Sequence, residues 1–386
     1  MKRTNVSIDT QVIHAGEPNP RIGGAVSVPV FQSSTFESSS ASDYHSIPYL
    51  RLNNSPNHIA LHEKLASLEN TESGLVTSSG MAAISTALLS VLKSGDHLIA
   101  QTGLYGGTHT FLVHDLTQLG IEVDLVDMSD ISNLENSFKP NTRAIYVESM
   151  TNPKLNVIAL DEVVARARSR EIVTLIDNTL PSPVNFRPAE MGFDLVCHSC
   201  TKYLNGHSDI VAGAILGRAE LISDAKRKLD HFGATLDPHA CFLLHRGLKT
   251  LPLRVRQQNS NALALAEMLS THNKVLAVHY AGLEHHPDHV RASKWFSGYG
   301  GLLSFDHAGG AEGAHEFVKR LKLAVEAVSL GGVETLVTLP AESSHSGMSP
   351  AERVRAGIDA GLIRVAVGVE GIEDLVSDFK QALSGG

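Results

Sequence analysis

Between His198 and Asp209 the chain reads HSCTKYLNGHSD, with Lys202 among small and hydroxylated residues that include Ser199 and Thr201. A lysine there is either a solvated surface charge or a covalent anchor. As an anchor its amine holds an aldehyde as an imine, which passes to a second amine without rebuilding a free carbonyl. Asp177 closes the apolar run VTLI. A carboxylate in that setting needs a partner. It caps the next helix, or it holds a protonated ring nitrogen, and a protonated pyridine is a strong electron sink. SSGMAA, residues 78–83, puts small residues where a helix begins. Free N–H groups at such an end bind phosphate, although small residues also simply start helices. Tyr105 lies in the glycine-flanked loop GLYGGTHTF, where an aromatic ring stacks on a planar ligand or packs on the core.

These residues need elements to hold them. GLVT, HLIAQ, EVDLVD, RAIYVES, IVTLIDN and FDLVCHS are short apolar runs bounded by turn residues. Helix-like stretches such as LDEVVARARSRE lie between some of them. This alternation predicts an α/β domain with a largely parallel sheet, whose buried strands are apolar on both faces. In such sheets ligands bind beyond the carboxyl ends of the strands. Glu148, Asn152, Asp177, Ser199, Thr201 and Lys202 all fall at or just after those ends. Residues 1–50 are rich in Ser, Thr, Pro and Gly and read as an extended arm that packs on a partner subunit. HRGLKTLPLRVRQQNSNALALAEMLS, residues 245–270, reads as one long amphipathic helix. The strands LLSFDH and LIRVAVG and the helices GAHEFVKRLKLA and EDLVSDFKQAL then predict a smaller α+β region. The expected division is an arm over 1–50, an α/β domain over 51–245 and an α+β domain over 246–386.

The 386 residues suffice for a large core. A net charge of −9 without a basic run gives nucleic acid and anionic membranes no electrostatic support. The opening MKRTNVSIDTQVIHAG lacks the apolar core of a signal peptide, and no apolar run approaches the roughly 18 residues that span a bilayer. A cytoplasmic location follows as the expectation. Cys197 and Cys200 have C-x-x-C spacing without a second pair, and EHHPDH reads as a polar loop, so no metal is expected.

DLVCHSCTKYLNGHSD resembles the lysine signature of the Cys/Met-metabolism pyridoxal-phosphate (PLP) enzymes, the cystathionine γ-synthase and γ-lyase group. ESMTNP, LIDNT, SLGGVET and GLIRVAVGVE follow the order of that family, so the resemblance spans almost the whole chain. It implies the aspartate-aminotransferase-like fold (fold type I) and PLP as cofactor. It implies that Lys202 holds the cofactor aldehyde and later moves protons between Cα, C4′ and Cγ. Asp177 would bind the pyridinium nitrogen, and Tyr105 would stack on the ring and relay a proton. Backbone N–H groups of Gly80 and Met81, with the hydroxyls of Ser199 and Thr201, would hold the phosphate. Tyr49 and Arg51, in PYLRLNN, would complete that cradle in a neighbouring subunit, which makes a homodimer the minimum and a tetramer the expected assembly. Arg364, helped by Ser329 and Asn152, would clamp the α-carboxylate of a small amino-acid substrate, while Glu148 shapes the site.

The resemblance implies elimination, α,γ in the first instance, of a heteroatom group, usually sulfur-linked, from a γ-substituted amino acid, giving a 2-oxo acid and ammonia. γ-Replacement on an O-acylhomoserine and β-elimination from cysteine or cystathionine use the same residues. A PLP-binding protein without turnover is the remote alternative. Three positions depart from the family pattern. LNNSPN, residues 52–57, is one residue longer than the usual stretch. Val328 stands where cystathionine-handling relatives often carry Glu. Gly107 stands where methionine γ-lyases carry Cys.

Overall fold

The computed structural model describes residues 6–37, 43–343 and 357–384. Seven strands form the larger sheet: β1 Ser73–Thr77, β2 His97–Gln101, β3 Glu122–Val126, β4 Thr142–Glu148, β5 Val173–Asp177, β6 Leu195–Ser199 and β7 Gly213–Gly217. Their order is β1-β7-β6-β5-β4-β2-β3. The pairings among β3, β2, β4, β5 and β6 are parallel, and only β7 runs against its neighbours β6 and β1. The largely parallel sheet expected from the apolar runs is therefore present.

β7, GAILG, is not legible in the sequence, because it is a three-residue apolar run between glycines. Its direction has a consequence. Antiparallel neighbours need no crossover helix, so the chain passes from β6 to β7 through a turn-rich connection, and Lys202 stands in it. Thr201 closes that connection: Ala212 N donates to Thr201 Oγ1 at 3.0 Å, and Thr201 N donates to Ala212 O at 3.2 Å.

Side chains alternate across the sheet with period two. Val147, Ile176 and Val196 pack on one face with Leu61, Leu65 and Leu68 of helix α2, Pro56–Glu69. Tyr146, Leu175 and Leu195 pack on the other with Ala83, Ala87 and Leu88 of helix α3, Gly80–Val91. Counting on by two from Tyr146, Leu175 and Cys197 places Glu148, Asp177 and Ser199 on the α3 face, at the carboxyl ends of three adjacent strands.

A five-stranded sheet lies toward the C-terminus, built from β8 Val275–His279, β9 Leu302–His307, β10 Val325–Glu326, β11 Leu336–Thr338 and β12 Leu362–Ala366 in the order β10-β11-β12-β9-β8. The stretch expected to be one helix over 245–270 is two, Pro238–Leu248 and Leu251–Ser270. The break is local chemistry: Pro252 has no N–H to donate and suits the first turn of a new helix. The N-terminal stretch is also more than an extended arm. Helix α1, Ile8–His14, buries Val12, and Asp9 receives both Nη1 and Nη2 of Arg256 at 2.6 and 2.9 Å. Among the described residues no helix is long and apolar enough to cross a membrane.

Candidate active site

The strand ends border a cavity of about 630 Å³. Its lining includes Gly80, Met81, Tyr105, Glu148, Asn152, Asp177, Ser199, Thr201, Lys202, Ser329 and Arg364, residues scattered over most of the chain. Tyr49 and Arg51 are not brought to it. Tyr49 is 38 % exposed, and Arg51 donates to Asp230 O at 2.6 Å and to the Tyr44 hydroxyl at 2.5 Å.

Register explains the acidic floor. Glu148 and Asp177 are direct partners across β4 and β5, so two carboxyl groups stand side by side in a water-poor place. Burial pushes both above the usual carboxylate range, Glu148 furthest because the Asp177 charge repels its ionised form. Glu148 accepts the Tyr105 N–H at 2.8 Å and so ties the Tyr105 loop to the sheet. Thr179 N donates to Asp177 Oδ1 at 2.8 Å, which draws Asp177 back toward ionisation.

At the opposite wall, Lys202, Ser329 and Arg364 form one cluster. Lys202 Nζ donates to Ser329 Oγ at 2.7 Å, and Arg364 Nη2 donates to Ser329 O at 3.0 Å. Ser329 has φ +92°, a conformation that costs energy in a residue with a Cβ and persists where the surroundings over-determine it. Burial, with the nearby Arg364 charge, lowers the Lys202 amine to about 8. Arg364 is 4 % exposed. It reaches Asn152 Oδ1 at 3.5 Å, and its Nε has no partner among the described residues. A buried guanidinium with spare donors fits a carboxylate.

Residues 79–81 form the third part. Ser79 caps α3, accepting Ala82 N at 3.0 Å, so the first N–H groups of the helix stay free for an anion. A Cβ on Gly80 would lie 2.8 Å from Ser199 Cβ, so glycine is what allows β6 to approach the helix start. Lys202 and Arg364, the two basic residues on the lining, both meet Ser329, leaving the cradle with hydroxyls and N–H groups.

Ser79, Thr179, Leu180 and Val211 also line the cavity and escape a reading of the sequence. Two left a signal: Ser79 precedes a helix as a capping residue does, and Thr179 follows an Asp by two, the spacing of an Asx turn. Leu180 and Val211 carry no local mark.

The described residues fit a pyridine aldehyde bearing a phosphate. A buried amine titrating near 8 suits imine formation. The raised Asp177 carboxyl accepts the Thr179 N–H and makes no ion pair among the described residues, and the helix start offers an anion cradle.

The comparisons agree. The profile of the family described as Cys/Met metabolism PLP-dependent enzyme matches residues 9–384. A cystathionine beta-lyase of Lactococcus lactis subsp. cremoris is 42% identical over 98% of this chain and 99% of that protein. An L-methionine gamma-lyase of Fusobacterium nucleatum subsp. polymorphum is 38% identical, over 99% of each. The crystal structure of cystathionine gamma synthase from Xanthomonas oryzae pv. oryzae, in complex with aminoacrylate and cysteine, superposes with a TM-score of 0.94 at 36% identity, covering 98% of each chain. The chain belongs to the Cys/Met-metabolism family of PLP-dependent enzymes, the carbon–sulfur lyases of trans-sulfuration.

Proposed function

We propose that this chain eliminates a thiol from the γ-carbon of an amino acid, giving a 2-oxo acid and ammonia. PLP supplies an electron sink for the charge left at Cα. Lys202 would hold its aldehyde, Asp177 its ring nitrogen, Tyr105 one face of its ring, and Gly80, Met81, Ser199 and Thr201 its phosphate. Arg364, with Asn152 and Ser329, binds the substrate carboxylate. Lys202 and Arg364 share Ser329, so an amino acid held on the guanidinium presents its Cα to the Lys202 amine. Lys202 Nζ would take the Cα proton, hand it on to C4′ and, neutral again, take one from Cβ, and the Tyr105 hydroxyl would relay a proton to the departing sulfur.

The observation that carries this reading is the uncharged outer lining. Val328 is 66 % and Val211 61 % exposed at the cavity, and among the described residues the charged side chains on the lining are those already assigned. Among the described residues a distal ammonium would find no carboxylate of its own there, whereas an alkylthio group needs none. β-Elimination is the second reading, favoured by the cystathionine beta-lyase at 42% identity. Incubation with methionine, homocysteine, cystathionine and O-acylhomoserines separates them. 2-Oxobutanoate is expected, and pyruvate as sole keto product would overturn γ-elimination.

Tyr49 and Arg51 lie away from their own cavity, and among the described residues no cation of the same chain is left for the anion cradle, since Lys202 and Arg364 both meet Ser329. The partner subunit's Tyr49 and the partner subunit's Arg51 complete it in this reading, making a homodimer the working unit. A monomer in sedimentation that retained PLP tightly would contradict this.

Two predictions follow from the same groups. Only the neutral amine attacks an aldehyde, and Lys202 titrates near 8 rather than the ordinary 10.5. The rate at which cofactor-free protein captures PLP should therefore climb with pH and level off above about pH 8. Stopped-flow absorbance measures this, and a rate still climbing in proportion to hydroxide at pH 10 would contradict it. The second concerns Gly107, where a Cβ would lie 2.7 Å from Tyr105 Cε1 and 3.4 Å from Met81 Sδ. Gly107→Cys should push the Tyr105 ring aside and weaken PLP binding about two- to twelvefold, the equivalent of the ~0.5–1.5 kcal/mol carried by an aromatic stack. An unchanged Kd would mean that the ring position is immaterial.

A further inference from the structure

Behind Asp177, on the α2 face of the sheet, lies a second polar group of side chains with no contact to the cavity. His198 Nε2 lies 2.6 Å from Glu69 Oε1, and the two side chains are 1 % and 0 % exposed. Asn178 Nδ2 donates to the same Glu69 oxygen at 3.0 Å. Ser149 Oγ donates to Asn178 Oδ1 at 2.8 Å and to Asp177 O at 2.9 Å, and Ser149 N also donates to Asp177 O, at 3.0 Å. An isolated carboxylate so deeply buried is expensive, and its neighbours on this face include the apolar Val147, Ile176, Val196, Leu65 and Leu68. A core needs no such group for packing. Its position is informative: His198 directly follows Cys197, the register partner of Asp177 on β6.

We propose that Glu69 and His198 are positioning residues for the reaction. Through Asn178 and Ser149 they anchor the backbone of residues 177–178, and the His198 imidazole stands across the sheet from the Asp177 carboxyl. The inference rests on the assignment of Asp177 to the ring nitrogen. It has an electrostatic corollary: His198 helps draw the Asp177 carboxyl back down against the effect of burial, toward the form that receives a pyridinium N–H. Glu69 in turn fixes the imidazole, its Oε1 lying 2.6 Å from His198 Nε2. Neither residue touches cofactor or substrate, so both act only through Asp177.

The test uses the full-length chain stripped of PLP, with PLP and its 1-deaza analogue, which lacks the ring nitrogen, as probes. The parent should bind PLP more tightly than the analogue. Glu69→Gln keeps the shape and an acceptor oxygen but removes the charge; His198→Gln removes the imidazole. Both variants are expected to lose about tenfold in PLP affinity, ~1.4 kcal/mol, with analogue affinity unchanged. After reloading, kcat should fall while KM holds. Equal losses for both probes would reduce the pair to a structural element and overturn the proposal, as would parent-like preference in both variants. Should His198→Gln not fold, Glu69→Gln decides alone. Asp177→Asn separates the two levels. If it abolishes the preference while Glu69→Gln retains it, only the positioning role falls. If Asp177→Asn leaves the preference intact, the Asp177 assignment falls and this inference with it.

Discussion

Lys202→Ala is expected to remove covalent cofactor attachment and to lower kcat by at least about 10³-fold. Two functions go with one side chain. The amine that holds the aldehyde is lost, and so is the base that moves protons at Cα and Cβ; one positioned acid–base group contributes about 10²–10⁴-fold on its own. Fold and cofactor cradle should survive. Lys202 Nζ makes a single described contact, to Ser329 Oγ, and alanine leaves the Thr201–Ala212 closure of the turn in place. The variant should bind PLP non-covalently, with the visible band moved to that of the free aldehyde. A band identical to the parent would show that another amine is the anchor.

Arg364 should give the largest effect on substrate binding. Its guanidinium is buried, donates to Ser329 O and Asn152 Oδ1, and keeps Nε spare. Removing one member of a buried charge pair costs about 2–5 kcal/mol, so Arg364→Met should lower kcat/KM about 30- to 3,000-fold, chiefly through KM. Arg364→Lys is not expected to rescue it, because an ammonium lacks the planar fork that meets a carboxylate with two donors. The same substitution to Met should raise the Lys202 amine from about 8, since Arg364 is one of the two causes that lower it. The pH at which PLP capture levels off should move up accordingly. A normal KM for Arg364→Met would assign the substrate carboxylate to another group.

Much of the site was legible because it is written locally. Asp177 and Glu148 end apolar runs, and a strand end in a parallel sheet is where ligands bind. Lys202 lies in a motif continuous in sequence, and the start of α3 follows β1 directly. The small sheet and the β6–β7 hairpin were less legible. β7 is too short and too glycine-rich to announce a strand, and Pro252 divides a segment whose periodicity alone reads as one helix.

By itself the sequence determined the strands β1 to β6 in their chain order, the residue types at their ends and the family to which they belong. These follow from local periodicity and contiguous motifs, which need no knowledge of what packs against what. Only the tertiary structure decided that Lys202 rests on Ser329, 127 residues away. It also decided that Tyr49 and Arg51 stand outside the cavity of their own chain, and that Glu69 meets His198 across 129 residues. The physical reason is the same in each case. A side-chain hydrogen bond forms within about 3 Å, and which distant groups come that close is set by the packing of whole elements on both faces of a sheet, for which no single stretch of chain carries the pattern.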